Sequence, residues 1–380
     1  MTEQASLRSA LAEDLEAPPV PKKSRGQEFW RLLRSNRLAF IGLIIFLVFF
    51  GIAVLGLFLT SGSHPVFDPS MVRLQEKLRP PLSRPRVELL RPEQIPPLGI
   101  YLFGTDELGR DVFSRMLQGA WVSLTVGFVA VGISVAIGIF MGGIAGYYGN
   151  AYVNSGHICC VILMSLTGIL IHLDLILFSF CAAIALAMVC YLSKRRIFPF
   201  QIPIMTVDTL IVGIVDIMLC FPSFFLILTV IALLPPSIYN IMAVIGLTSW
   251  MGAARFVRAE FLSLREQDFV LAARALGLND LRIIFRHMMP NAMGPVLVSA
   301  TIGIASAILT EAGLSFLGFG VPPPHATWGN ILSDGKRFIF DAPWLTFIPG
   351  TAILIVVLAF NLFGEGLRDI LNPRLRERSL

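Results

Sequence analysis

The run from Ala39 to Thr60 carries no charged side chain. A stretch of that length matches the roughly 20 apolar residues a helix needs to cross the ~30 Å hydrocarbon core of a bilayer. It is also apolar on every side, unlike a helix with one face in water. Comparable runs follow at Trp121 to Tyr148, Ile158 to Leu192, Thr206 to Leu234, Ile238 to Ala254, Ala292 to Phe319 and Trp344 to Gly364. The 158–192 run, broken only by His172 and Asp174, is too long for one crossing and fits a tight helical hairpin. Counting it twice, eight spans are expected, and all should be helical because an isolated strand in lipid leaves backbone groups unpaired. Composition agrees: 14% of residues are charged and 55% hydrophobic, against roughly 25% charged in an ordinary soluble domain. That balance argues against a soluble enzyme, a nucleic-acid binder and a disordered regulator.

Arg25, Arg31, Arg34 and Arg37 precede the first run, whereas the first basic residue after it is Arg73. Basic residues favour the cytoplasmic side, so the amino terminus is expected there. Lys194, Arg195 and Arg196 then fall on the same side only if the 158–192 stretch crosses twice, and both Arg255 to Arg286 and the carboxyl-terminal tail follow. The expected division is a cytoplasmic segment 1–38, a first helix 39–60, an extracytoplasmic loop 61–118, a transmembrane domain 119–366 and a tail 367–380. The prolines of 61–105 predict an extended external loop. Gly138, Gly142 and Gly146 recur four apart and predict a face where another helix approaches closely. The five cysteines lie in or beside apolar runs without metal or disulfide spacing.

The most informative stretch runs from Asp268 to Asn291, inside the basic cytoplasmic segment 255–291. Read physically, it is two short helices with a bend. Gly277 suits the left-handed position that ends the first, and Asn279 or Asp280 can cap the second. Leu281, Ile284, Phe285 and Met288 are expected on one face with Arg282 and Arg286 opposite, and Pro290 to stop the helix. Such an element could dock its apolar ridge on a soluble partner or lie on lipid headgroups; amphipathicity alone leaves the two even.

Spacing favours the first. Ala272, Ala273, Gly277 and Pro290 stand as in the EAA loop of bacterial ABC-importer permeases, which this stretch resembles, with Leu271 in place of the motif glutamate, His287 of the isoleucine and Met289 of the leucine. Phe103 to Asp111 (FGTDELGRD), Gly146-Tyr147-Tyr148-Gly149, Val215-Asp216-Ile217 with Phe221-Pro222, Leu314 to Gly318, Trp328-Gly329-Asn330 and Asn361 to Asp369 follow in order. With Arg31 to Arg37, they resemble the dipeptide/oligopeptide/nickel branch of that family, second-subunit type. The resemblance implies an all-α transmembrane bundle of the type I ABC-importer permease kind, with six core spans. Residues 150–206 have no counterpart in the pattern and read as an inserted hairpin. It further implies a bacterial inner-membrane protein with both termini cytoplasmic, a homologous second permease, two ABC ATPase subunits holding ATP and Mg, and an extracytoplasmic substrate-binding protein. Ala272, Ala273, Gly277, Leu281, Ile284, Phe285 and Pro290 would then couple ATPase closure to the membrane helices.

No cofactor of this chain's own is expected. Phosphate-loop, HExxH and GxSxG patterns are absent from the sequence, so hydrolysis of ATP would fall to another polypeptide. Asp216 and Glu311 lie inside apolar runs, where a carboxylate is costly and faces a cavity, a partner or a water path. An interhelical hydrogen bond is the preferred reading for both. The alternative is an ion-gradient-driven transporter using one of them, which would call for inverted repeats. Histidines 157, 172 and 287 fall on different sides of the expected membrane, which argues against a metal site.

Overall fold

The computed structural model describes residues 25–62, 65–155 and 203–371, with scattered positions between 159 and 189. Its helices are α1 (Arg25–Ser35), α2 (Arg37–Thr60), α3 (Val112–Tyr147), α4 (Val207–Cys220), α5 (Ser223–Leu233), α6 (Ile238–Thr248), α7 (Trp250–Leu264), α8 (Asp268–Ala275), α9 (Asp280–Arg282), α10 (Met289–Phe316), α11 (Trp328–Gly335) and α12 (Trp344–Leu371). Two short antiparallel strands, β1 (Tyr152–Asn154) and β2 (Pro203–Thr206), pair where the chain leaves and re-enters the described region.

Among the described residues five helices are long and apolar enough to span a membrane, or six if the bent pair α4–α5 counts as one. That is fewer than the eight expected from hydropathy. The difference is the 158–192 hairpin, which falls largely outside the described residues together with His172, Asp174 and Lys194 to Arg196. The Thr206–Leu234 run is not one straight span either. It breaks by 80° between α4 and α5, at Phe221-Pro222, where proline lacks the N–H that would continue the helical ladder.

Helix α3 is the spine. It starts at Val112, with Asp111 as its cap: the Ser114 N–H donates to Asp111 Oδ2 at 3.0 Å. Its 36 residues reach about 54 Å, well beyond a bilayer core, so its first turns stand clear of the hydrocarbon. Helices α2, α6, α7, α10 and α11 all pack on it, and α12 closes the far side against α2 and α10. Gly138, Gly142 and Gly146 of α3 face α7. A Cβ at these positions would run into Ala253 Cβ, the Ala254 carbonyl and Phe261 Cβ respectively. Backbone approaches this close are what bind helices where lipid removes the hydrophobic drive between them.

The proline-rich segment 61–105 is not the extended loop expected of it. It folds into a cap in which Tyr101, Glu76, Thr105 and Asp106 are completely buried. Backbone pairs such as Ser83 with Tyr101 tie its turns together, and side chains add to them: Thr105 Oγ1 donates to the Glu76 carbonyl at 2.5 Å, and Glu76 Oε1 accepts from the Arg86 N–H at 3.0 Å. Burial drives the Tyr101 hydroxyl up to about 12.

Candidate functional site

Two places gather the residues singled out above, one at each end of the bundle. At one end of the bundle, α8 stops at Leu276, and Gly277 takes the left-handed conformation with φ +71°. The Gly277 N–H donates to the Arg274 carbonyl (2.9 Å) and the Leu278 N–H to the Ala273 carbonyl (3.2 Å), a Schellman closure. Nothing lies within 4 Å of where a Gly277 Cβ would be, so within this chain the glycine answers to backbone geometry and not to crowding. Asn279 caps the next turn, its Oδ1 accepting from the Leu281 N–H at 3.1 Å.

Past Arg282 the helix does not stop at Pro290. It widens into a π-helical turn over Ile283–Met288 and runs on into α10, so that 280–316 forms one continuous rod. The Met289 N–H reaches back five residues to the Ile284 carbonyl. This wider winding brings Pro290, which has no N–H to offer, into the helix without an orphaned turn.

The π turn also changes which side chains share a face. Residues five apart stack, so Ile283 and Met288 turn inward together and are fully buried against Val257, Phe261, Val270, Ala273 and Ala292. Met288 therefore leaves the ridge expected for it. Leu281 (60% exposed), Phe285 (62%) and Leu276 (80%) point away from the bundle, joined by Phe269 and Leu271. Ile284 is half-buried, Ala273 is buried, and Ala272 and Pro290 are exposed.

This element is fastened to α3 by a joint that the sequence motif did not reveal. Asp280 accepts from both Tyr147 Oη (2.6 Å) and Tyr148 Oη (3.0 Å), and the Arg274 guanidinium lies over the Tyr147 ring at 4.7 Å. Burial, then the Asp280 hydrogen bond, raise the Tyr148 hydroxyl above its ordinary value. The available signal was the adjacent tyrosine pair at a helix end, two hydroxyl donors with no stated acceptor.

At the opposite end, the FGTDELGRD stretch is a buried clamp. Asp106 Oδ1 accepts from the Leu108 and Arg110 N–H groups, and its Oδ2 binds Arg110 Nε (2.7 Å) and Arg115 Nη1 (2.6 Å). Arg115 Nη1 also reaches Asp334 Oδ2 of α11 at 2.9 Å. Gly109, at φ +69°, sits where a Cβ would run into the Arg73 carbonyl. Burial raises the Asp111 carboxyl, offset in part by the Ser114 hydrogen bonds.

Inside the membrane, Glu311 is fully buried on α10. Ser315 Oγ donates to its Oε1 at 2.7 Å, and Ser123 Oγ of α3 lies 3.5 Å from its Oε2. Ser123 Oγ in turn accepts from the Trp328 N–H at 3.3 Å, so the carboxyl joins α10, α3 and α11. Asp216 of α4 pairs with Arg255 of α7 at 2.7 Å, and Asp208 with Arg258, giving two rungs between these helices. No group of three or more His, Cys, Asp or Glu side chains suited to a metal occurs among the described residues.

The comparisons decide what such a bundle is. A family model described as the N-terminal TM domain of oligopeptide transport permease C matches residues 24–81. One described as a binding-protein-dependent transport system inner membrane component matches residues 205–377. The dipeptide transport system permease protein DppC of Alkalihalophilus pseudofirmus is 36% identical over 92% of this chain and 90% of its own. The chain belongs to this family of ABC transport permeases. The oligopeptide transport system permease protein OppC of Bacillus subtilis is 31% identical over 97% of this chain and 96% of its own. The di/tripeptide permease protein DppC of Pseudomonas aeruginosa is 32% identical over 98% of each chain. The second family match begins at 205, on strand β2, whereas the Pseudomonas alignment takes in nearly the whole length of both proteins. The permease is thus a membrane-spanning, non-enzymatic subunit of a transport system, and its relatives lend no support to the ion-gradient alternative.

Proposed function

We propose that this permease carries peptides inward across the cytoplasmic membrane, as one of two homologous membrane subunits. An extracytoplasmic binding protein would deliver the peptide, and two ATPase subunits would bind ATP and Mg at the cytoplasmic face. Both termini of the chain would lie on that face. The reading of the 268–288 element as the ATPase contact rests on one observation. Its underside is cemented into the bundle by Val270, Ala273, Ile283 and Met288, while Leu276, Leu281 and Phe285 project outward, left mostly uncovered by the described residues. A stiff rod continuous with α10 can hand a push on that surface to the membrane helices, so that ATP binding and the membrane conformation share one equilibrium.

The test is Gly277→Asp in the assembled transporter. Aspartate tolerates the left-handed conformation better than most residues, so the turn survives while bulk and charge face the partner. Uptake should fall with ATP hydrolysis and membrane abundance retained. Wild-type uptake at wild-type abundance overturns the coupling role.

A further inference from the structure

A cavity of about 290 Å³ opens between α3, the α6–α7 junction and α10. Its polar lining is hydroxyl only: Ser134 of α3, Ser249 at the junction, and Ser299, Ser306 and Thr310 of α10, with Gly252 of α7 keeping the wall clear. No charged side chain lines it. Ser134 and Ser306 lie near the midpoints of two spanning helices, which places the cavity at mid-membrane depth.

Two features separate this wall from a lipid-facing surface. Ser134 is only 6% exposed, lines the cavity, and makes no hydrogen bond among the described residues. On so buried a residue, a hydroxyl with no partner in the protein is costly unless a ligand or water in the cavity completes it. Ser306 and Ser249 are exposed into the same space, and their hydroxyls are likewise free of partners. By contrast, Thr310 bonds back to the Ser306 carbonyl at 2.8 Å, the usual way a membrane helix disposes of a hydroxyl.

We infer that this cavity is where the transported peptide is held in mid-passage, by its backbone amides. The inference rests on the peptide reading above and adds the place and the chemistry. A hydroxyl both donates and accepts, so it pairs with a C=O or an N–H in either orientation and ignores the side chain. A wall without charge offers no counter-ion to a charged side chain, yet it satisfies the backbone amide that every peptide carries. A hydrocarbon chain filling the same space would leave Ser134 unpaired.

The experiment uses the complete transporter in vesicles, with radiolabelled Ala-Ala as the probe. Ser134→Ala with Ser306→Ala should lower import by about fivefold or more at unchanged abundance. Ser306→Trp, which fills the cavity, should nearly abolish import at unchanged membrane abundance. Leu354→Trp, on the outward face of α12, should import normally. Import at the wild-type rate by both serine variants overturns the inference, and should Ser306→Trp fail to assemble, the double alanine variant decides alone. A Ser306→Cys variant separates the two levels of argument. If the unaltered transporter imports no Ala-Ala but this cysteine still reacts with a water-soluble maleimide above the parent chain, the peptide reading fails while the wetted wall stands. If import is normal but the cysteine neither reacts nor is shielded by Ala-Ala, the cavity is not the passage.

Discussion

The clamp at 104–115 and the element at 268–288, here called inner after the face proposed for it, are both short, glycine-bearing signatures, and they are built in opposite senses. In the clamp the glycines are hemmed in: a Cβ on Gly109 would strike the Arg73 carbonyl, and one on Gly104 would come within 2.8 Å of Trp344 Nε1. Its charges close on one another through Asp106, Arg110, Arg115 and Asp334. In the inner element Gly277 stands in open space, and the large apolar side chains point outward. A signature whose neighbours fill every gap is a finished joint within one chain. A signature that leaves apolar surface uncovered on a rigid base is, on the function proposed above, half of a joint with another subunit.

The largest expected effect breaks the finished joint. Asp106→Ala takes the fully buried partner from Arg110 and Arg115 and leaves the two of them only the partly exposed Asp334, and breaking a buried pair typically costs about 3–5 kcal/mol. The purified protein should show a markedly lower unfolding midpoint, and uptake should fall only in proportion to the protein remaining. Normal stability with uncoupled ATP hydrolysis would show that the clamp belongs to the transport cycle after all.

The next pair sharpens the contrast inside the inner element. Ile283→Ala empties a filled site and should cost about 2–5 kcal/mol of stability. Phe285→Ala, two residues on but facing outward, should leave the unfolding midpoint of the isolated permease within about 0.5 kcal/mol of the original. Its loss should appear instead as weaker retention of the ATPase subunits on co-purification. If the two variants behave alike, the inner and outer faces assigned by the π turn are wrong.

How far the sequence could be read follows from the same contrast. Spans such as Ala39–Thr60 are legible because a membrane helix satisfies its own backbone and needs no distant partner. The glycine face of α3 and the cap-and-glycine turn at 276–279 are legible because each depends on neighbours three or four residues away. The π turn was not, because its five-residue stacking shifts Met288 off the ridge that a 3.6-residue period assigns it. Joints between remote residues were not legible either. Asp280 meets Tyr147 across 133 positions and Arg115 meets Asp334 across 219, and nothing local marks either partner. Asp216 announced that it needed company inside a span, without saying whose.

That aspartate supplies the smallest expected effect and an intermediate case for the comparison. Asp216 and Arg255 form a single ion pair with both side chains 57% exposed, neither sealed like the clamp nor uncovered apolar surface like the inner element. Half-exposed pairs of this kind contribute about 0–1 kcal/mol, so Asp216→Asn alone should barely move the unfolding midpoint. Yet both residues lie on helices that count among the candidate spans, where an ion pair facing lipid would be costly. An exposed pair there is expected to meet water or the second permease and to change partners as α4 moves against α7. The single variants Asp216→Arg and Arg255→Asp, which set like charges face to face, should each slow uptake, and the two together should recover most of it. Recovery would mark the pair as a strut between the helices. Slow uptake in the double variant, at normal abundance, would show that one of these charges meets something other than its partner during transport.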